Sequence, residues 1–151
     1  MKNIENMANS DRITKEGLEN LKKDLCNKFS VFNDSGKIDL DRCQLNVGYS
    51  IGDYYVHFNG LLLKEKHRLA TFQRDLDHNK SLAYEDIKRN SVFDLDAKGI
   101  VLLIDGHSFV GDKQREYSQQ KAFVEFLEGV VEHIKFYANG VKVILEREKY
   151  R

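Results

Sequence analysis

The sequence predicts an all-α protein, and three of its features lead to that prediction. The chain has 151 residues and no proline, a residue that costs roughly 3 kcal/mol inside a helix. Apolar residues recur at the 3-4 spacing of helical seams over two long stretches. Charged residues make up 32% of the chain, which suits long helices with one solvated face. We expect a short N-terminal helix, a long coiled-coil-like helix, a connector and a long C-terminal helix, forming a helical bundle or ring.

The first region is polar and then becomes helical. Residues 1–13 are mostly polar and are expected to form a flexible N-terminus. Region 14–90 is expected to be helical, beginning with a helix that Thr14 can cap. The apolar stripe of this first helix consists of Leu18, Leu21, Leu25 and Phe29. The segment 30–36 is rich in Asn, Asp, Ser and Gly, which predicts a turn.

A long helix is expected from about Ile38 onward, with a heptad pattern from Ile51. Glu65 and Asn79 are polar exceptions in this pattern, and the three glycines Gly48, Gly52 and Gly60 favour a kink or break in its first half. One seam series comprises Tyr55, Leu62, Leu69, Leu76 and Ala83, and the other comprises Ile51, Phe58, Glu65, Phe72 and Asn79.

Residues 91–107 are expected to form a connector. The apolar run Ile100–Ile104 fits either a short strand or a packed connector, and periodicity does not separate the two for so short a run. Ser108 is a candidate cap for the helix that follows.

Region 108–151 carries three apolar series instead of the two that a paired coiled coil needs. A stripe this wide can contact two neighbouring helices at once, which indicates a bundle or a ring of subunits. The polar end of this pattern is at Lys113 and Gln120. We therefore expect an oligomerisation surface made of Phe123, Val124, Leu127, Val130, Val131, Ile134, Tyr137, Ala138, Val141, Ile144 and Leu145.

Motifs for catalysis, metal binding or cofactor binding are not found in the sequence. The five histidines show no i, i+4 pairing. The sequence contains neither of the glycine-rich nucleotide-binding motifs GxxxxGK(S/T) and GxGxxG. The tetrapeptide Asp105–Ser108 is similar to a hydrolase turn, but a turn and helix cap is the simpler interpretation. We expect no catalytic residue, no metal and no cofactor; a small enzyme using Asp105 and His107 is the least favoured alternative.

Charge and hydropathy limit the class of partner. The formal net charge is zero, so any site for nucleic acid must be local. The longest apolar run is far shorter than a membrane span, and the N-terminus has no secretory h-region. An intracellular protein without a membrane partner is expected.

One basic segment stands out within the long middle helix. Cations separated by a few residues can follow a phosphate backbone, and aromatic side chains such as Phe72 and Tyr84 can stack on unpaired bases. An ordinary charged coiled-coil surface is the alternative, and Phe72 occupies a seam position. The candidate DNA-binding residues are Lys64, Lys66, Arg68, Arg74, Lys80, Lys88 and Arg89.

The order of these segments is similar to a known family. The short helix contains Leu18–Leu25, Tyr54 opens the basic helix after Ile38–Asp39 and Gln44, and a linker precedes Tyr117, Gln120–Glu128 and the apolar Val141–Leu145. Over most of residues 16–150 the chain resembles the UvsY family of tailed-phage recombination mediators.

The resemblance implies a function that involves binding without catalysis. Members of the family bind single-stranded DNA without sequence preference and form ring-like homo-oligomers, heptameric in the best-known member. They help load a RecA-like recombinase onto DNA coated with single-stranded-DNA-binding protein, in the cytoplasm of the infected bacterial host. The basic residues of the middle helix would contact DNA and the C-terminal stripe would join subunits.

This chain departs from the family in its extra residues before Thr14, in Leu82 and Tyr84 within the basic helix, and in the apolar run Ile100–Ile104. The alternative function is a structural coiled-coil assembly or scaffolding protein that does not bind DNA.

Overall fold

The computed structural model describes residues 15–91 and 96–150, and it confirms the all-α prediction. Helix α1 spans Lys15–Lys28, α2 spans Gly48–Asn90, α3 spans Ala97–Asp105 and α4 spans Ser108–Lys149. No strand occurs within these described ranges, where an isolated bridge joins Phe32 and Ile38. The expectations for residues 1–13 and for the Thr14 cap lie outside the described residues.

The turn predicted after α1 is confirmed, and its residues explain its shape. The side-chain oxygen of Asn33 accepts hydrogen bonds from the backbone N–H groups of Ser35 (3.1 Å) and Lys37 (3.0 Å). Gly36 has a φ of 75°, a left-handed conformation that glycine adopts without steric cost. The chain therefore reverses here and returns toward α2.

The start of α2 is irregular. The Asp39 carboxylate accepts from the backbone N–H of Arg42 at 3.0 Å, as a helix-capping residue does. A π-helical turn follows at Arg42–Val47, and regular α-helix begins at Gly48. The helix then continues through Gly52 and Gly60 without interruption, so the break expected at these glycines is absent.

The heptad pattern of α2 reports correctly which side chains are covered. All ten seam positions are buried or half-buried, including the two polar exceptions. Val56 and Leu63, which lie between seam positions, are exposed. The 3-4 spacing therefore predicted the covered face of this helix.

The chain divides into two compact units, and each long helix contributes a segment to both. The first unit contains residues up to Leu63 together with Glu125–Arg151, and the second contains Lys64–Val124. Each unit therefore draws on both the 14–90 and the 108–151 regions.

The first unit has an apolar core with an aromatic cluster. Phe29, Phe58, Leu127 and Ile134 are almost fully buried. The ring of Phe29 contacts Tyr54 edge-on at 5.4 Å between centroids, and Tyr137 lies 5.9 Å away on α4. Burial, followed by a hydrogen bond with the Cys26 thiol, raises the pKa of Tyr137 to about 12. Phe29 thus joins the segment after α1 to both long helices.

Helix α3 packs on the core of the second unit. The sequence allowed either a short strand or a packed connector at this position. Ile104 of α3 and Tyr117 of α4 pack on a cluster of Leu76, Ala83 and Val110. The run Ile100–Ile104 is helical because Asp96 caps it, accepting from the N–H of Gly99 at 2.7 Å. The strand interpretation is therefore wrong.

Candidate nucleic-acid interface

The seven candidate DNA-binding residues all lie on the part of α2 within the second unit. Six are exposed, and Lys80 is half-buried. At 3.6 residues per turn they do not form one strip but fall on two sides of the covered seam. Lys64, Arg68 and Arg89 lie on one side of the seam and Lys66 and Lys80 on the other, while Arg74 and Lys88 both lie on the outer face opposite the seam. We call Lys64, Arg68 and Arg89, with Arg74, the first basic flank, and Lys66 and Lys80, with Lys88, the second basic flank.

The first basic flank is the better candidate for a phosphate backbone. His67 and His78, both exposed, lie on the same side of the helix. A guanidinium nitrogen of Arg74 donates to the Thr71 hydroxyl at 3.4 Å, and Arg68 lies 5.6 Å from the centre of the Phe72 ring. Cations on successive turns of one helix face present several donors in a row to a strand.

Acidic side chains offset part of this charge. Arg68 is 4.0 Å from the buried carboxylate of Glu65, and Arg89 is 3.7 Å from Glu85. On the second basic flank, Lys80 is 3.7 Å from Asp105 of α3. The pairs of Arg89 and Lys80 lie at the surface and are worth about 0–1 kcal/mol each, so these two cations stay available to a competing phosphate. Lys80 is the least available of these cations, because its contact with Asp105 also joins α2 to α3.

The two aromatic candidates differ in exposure. Phe72 is half-buried at its seam position and contacts Arg68, so its main role is packing. Tyr84 is exposed and lies on the side of α2 that carries the second basic flank. The structure therefore does not bring an exposed aromatic ring onto the first basic flank of α2.

The predicted oligomerisation stripe of α4 is covered inside the single chain. Phe123, Val124, Leu127, Val130, Val131, Ile134 and Val141 are buried, and the other four members are half-buried. Its partners include residues of α2 and the segment after α1, such as Phe29. A contact between subunits through the seven buried members would require the chain to open.

Of the exposed apolar residues, the sequence analysis singled out the α3 run but not the series on and just after α4. Phe136 and Val143 of α4 and Tyr150, directly after the helix, are exposed at heptad spacing, and on α3 the exposed apolar residues include Val101, Leu102 and Leu103. The sequence signal for the α4 set was present as a fourth series seven residues apart. The signal for α3 was an apolar run with no polar face.

One polar residue of the α2 seam, Glu65, contacts one polar residue of the α4 pattern, Gln120. The amide nitrogen of Gln120 donates to the carboxylate of Glu65 at 2.7 Å and to its backbone carbonyl at 3.1 Å, and both residues are buried. At the polar N-terminal end of the α4 pattern, a hydrogen bond with Glu116 raises the pKa of Lys113. A buried hydrogen-bonded pair of this kind fixes the register of two helices.

The tetrapeptide Asp105–Ser108 forms the corner between α3 and α4. Ser108 is the first residue of α4 rather than its cap, and His107 precedes the helix. The Nδ1 atom of His107 accepts from the N–H of Phe109 at 3.4 Å, while Nε2 lies 3.1 Å from the Asp86 carboxylate. A neutral histidine with its proton on Nε2 satisfies both contacts, so this residue has a structural role at the corner.

Within residues 15–91 and 96–150, no three His, Cys, Asp or Glu side chains are grouped closely enough to hold a metal ion. None of the described helices combines the length and the apolar character needed to cross a bilayer.

Comparison of the chain with protein-family models, with curated proteins and with solved structures found no match.

Proposed function

We propose that the chain binds single-stranded DNA without sequence preference and acts as a recombination mediator. The observation that carries the proposal is the first basic flank of α2, where Lys64 and Arg68 are exposed on one side of the helix and Arg74, with His67 and His78, is exposed on the adjoining outer face. This flank is about 15 Å long between Lys64 and Arg74, enough to contact several phosphates of an extended strand.

A single flank of this size binds weakly, and the acids Glu65 and Asp75 reduce its field. Binding therefore depends on repetition: a homo-oligomer that presents the flank several times along one strand gains avidity without new contacts. Because the attraction is to phosphates, it is expected to be salt-sensitive and indifferent to base sequence.

The mediator step rests on the resemblance to the UvsY family. The oligomer, a ring in that family, binds the strand, weakens its hold on the single-stranded-DNA-binding protein, and presents it to a RecA-like recombinase by mass action. No catalysis, metal or cofactor is required. The proposed location is the cytoplasm of the infected bacterial host.

The second candidate is a coiled-coil assembly or scaffolding protein without DNA affinity. The observation that favours it is the exposed apolar surface of α3, where Leu102 has 75% of its surface exposed. This candidate requires association between chains but no affinity for phosphates.

Binding of a fluorescent single-stranded oligonucleotide over a range of salt concentrations tests the proposal. Replacing Lys64, Arg68 and Arg74 together with alanine should weaken binding and reduce the slope of log K against log salt by about 2, since each phosphate contact contributes roughly 0.7. The matched control is the triple alanine variant of the second basic flank, Lys66, Lys80 and Lys88, which removes the same charge and should change the slope less.

If the unmodified chain shows no salt-dependent binding, DNA binding is excluded and the scaffolding candidate stands. If both triple variants lose the same amount, the first basic flank has no special role.

A further inference from the structure

Helix α3 is apolar on nearly its whole circumference, yet none of its residues is buried. Ile104 packs on the core of the second unit, whereas Val101, Leu102 and Leu103 are 56%, 75% and 47% exposed. A helix that is apolar all round is normally covered on all sides, and contiguous exposed apolar surface marks an interaction site. The outer side of α3 is therefore a candidate interaction surface.

The outer side has a specific order of residues. Lys98, Val101, Leu102 and Asp105 follow the i, i+3, i+4, i+7 spacing of one helix face. The face is apolar in the middle, with a cation at one end and an anion at the other. Lys98 is exposed, and the Asp105 side chain is 60% exposed even though it lies 3.7 Å from Lys80.

Both charges oppose the dipole of their own helix. Lys98 is in the first turn, where the dipole favours an anion, and Asp105 is the last residue, where it favours a cation. The arrangement is unfavourable for an isolated helix. It becomes favourable beside an antiparallel helix of the same sequence, because each charge then lies near the opposite end of its neighbour.

We propose that two copies of the chain associate through α3, packed antiparallel about a twofold axis. Lys98 of one protomer then faces Asp105 of the partner subunit, and the reverse contact follows from the symmetry. Val101 and Leu102 fill the centre, where they meet the same two residues of the partner subunit.

The charges of the chain and of this region favour a second copy over other occupants. The chain has no net charge, so two copies do not repel each other. Around α3, the contact between Lys80 and Asp105 brings a cation and an anion together. The region lacks the excess of positive charge that would attract a nucleic acid or an anionic membrane. This surface is separate from the first basic flank, so the inference does not rest on DNA binding.

Mass measurement of the full chain by sedimentation over micromolar concentrations tests the proposal. The unmodified chain should associate into species with an even number of subunits. Leu102→Ser should raise the dissociation constant about tenfold or more, since each contact loses apolar burial twice. Leu102 is exposed, so the variant should keep its helical circular dichroism.

A charge exchange tests the antiparallel register. Lys98→Glu suits the dipole of α3 itself but places two acids opposite each other across the axis, so it should weaken association. The double variant Lys98→Glu with Asp105→Lys restores opposite charges and should recover association. Lys142→Glu, an equal change at an exposed position on α4, should leave association unchanged.

Several outcomes would overturn the proposal. One is that the unmodified chain is a monomer, either free in solution or bound to phosphatidylglycerol vesicles through Leu102. Another is association that Leu102→Ser and Lys98→Glu leave intact. Failure of the double variant to recover association, while the protein stays folded, would overturn the antiparallel pairing.

Discussion

Helices α3 and α4 are both more apolar than a helix with one covered face needs to be, but the additional apolar surface is buried in α4 and exposed in α3. The wide stripe of α4, exemplified by Leu127 and Ile134, is buried within the chain. The outer side of α3, centred on Leu102, is exposed. The width of an apolar stripe therefore tells that a helix has several neighbours. It does not tell whether those neighbours belong to the same chain.

The difference has a structural reason. In each unit a segment of α2 packs beside a segment of α4 and covers its stripe, and Phe29 covers more of it in the first unit. Helix α3 has nine residues at the corner of the chain, and it contacts its own unit on one side only. A surface at such a corner has no further segment of the described chain to cover it.

The largest expected effect is on the α4 stripe. Ile134→Ala should lower the free energy of unfolding by about 2–5 kcal/mol, because the side chain is fully buried and its removal leaves a cavity. Phe136→Ala, two residues away and 72% exposed, should change it by about 0.5 kcal/mol or less. Urea unfolding followed by circular dichroism measures both.

If Phe136→Ala lowered the free energy of unfolding more than Ile134→Ala, the stripe would be exposed in the single chain and covered only in an assembly. A change of oligomeric state on Ile134→Ala, without loss of stability, would give the same answer and restore the sequence-based interpretation of the stripe.

The fold was predictable in outline because periodicity records which side chains are covered. The ten seam positions of α2 and the turn at Asn33–Gly36 follow from residue type and spacing alone. The occupant of a seam does not follow from spacing, so the α4 stripe was assigned to other subunits. The helix at Ile100–Ile104 could not be distinguished from a strand, because five apolar residues fit either period.

The sequence predicted which residues belong to the candidate site, but not how they are grouped on the surface of the helix. Grouping Lys64 with Arg74, and Lys66 with Lys80, requires an uninterrupted helix through this segment, whereas the glycines favoured a break before it. Glu65 and Gln120 are 55 residues apart in sequence, and pairing them requires the relative register of two helices. Single-helix patterns carry no such information.

The next effect concerns this buried polar pair. Gln120→Leu should lower the free energy of unfolding by about 1–3 kcal/mol or more, because the Glu65 carboxylate stays buried without its 2.7 Å donor. The double variant Glu65→Leu with Gln120→Leu should recover most of the loss, since two apolar groups replace two polar ones. Gln119→Leu, at the exposed neighbouring position, is the matched control.

A double variant as unstable as Gln120→Leu would mean that the pair contributes more than mutual satisfaction. The measurement is a double-mutant cycle by urea unfolding.

The smallest expected effect concerns the attachment of α3 to its own unit, and it bears on how much of its outer surface is presented. Asp96→Ala removes the carboxylate that accepts from the N–H of Gly99, which should cost α3 about 1 kcal/mol. Because α3 has few buried contacts, the loss should appear as local opening rather than global unfolding. Amide hydrogen exchange within α3 should accelerate about fivefold while exchange in the middle of α4 stays constant. Asp96→Asn, which keeps a capping oxygen, should change exchange little. Equal acceleration in both helices would show that α3 opens only when the whole chain unfolds, and its apolar surface would then be as firmly positioned as the α4 stripe.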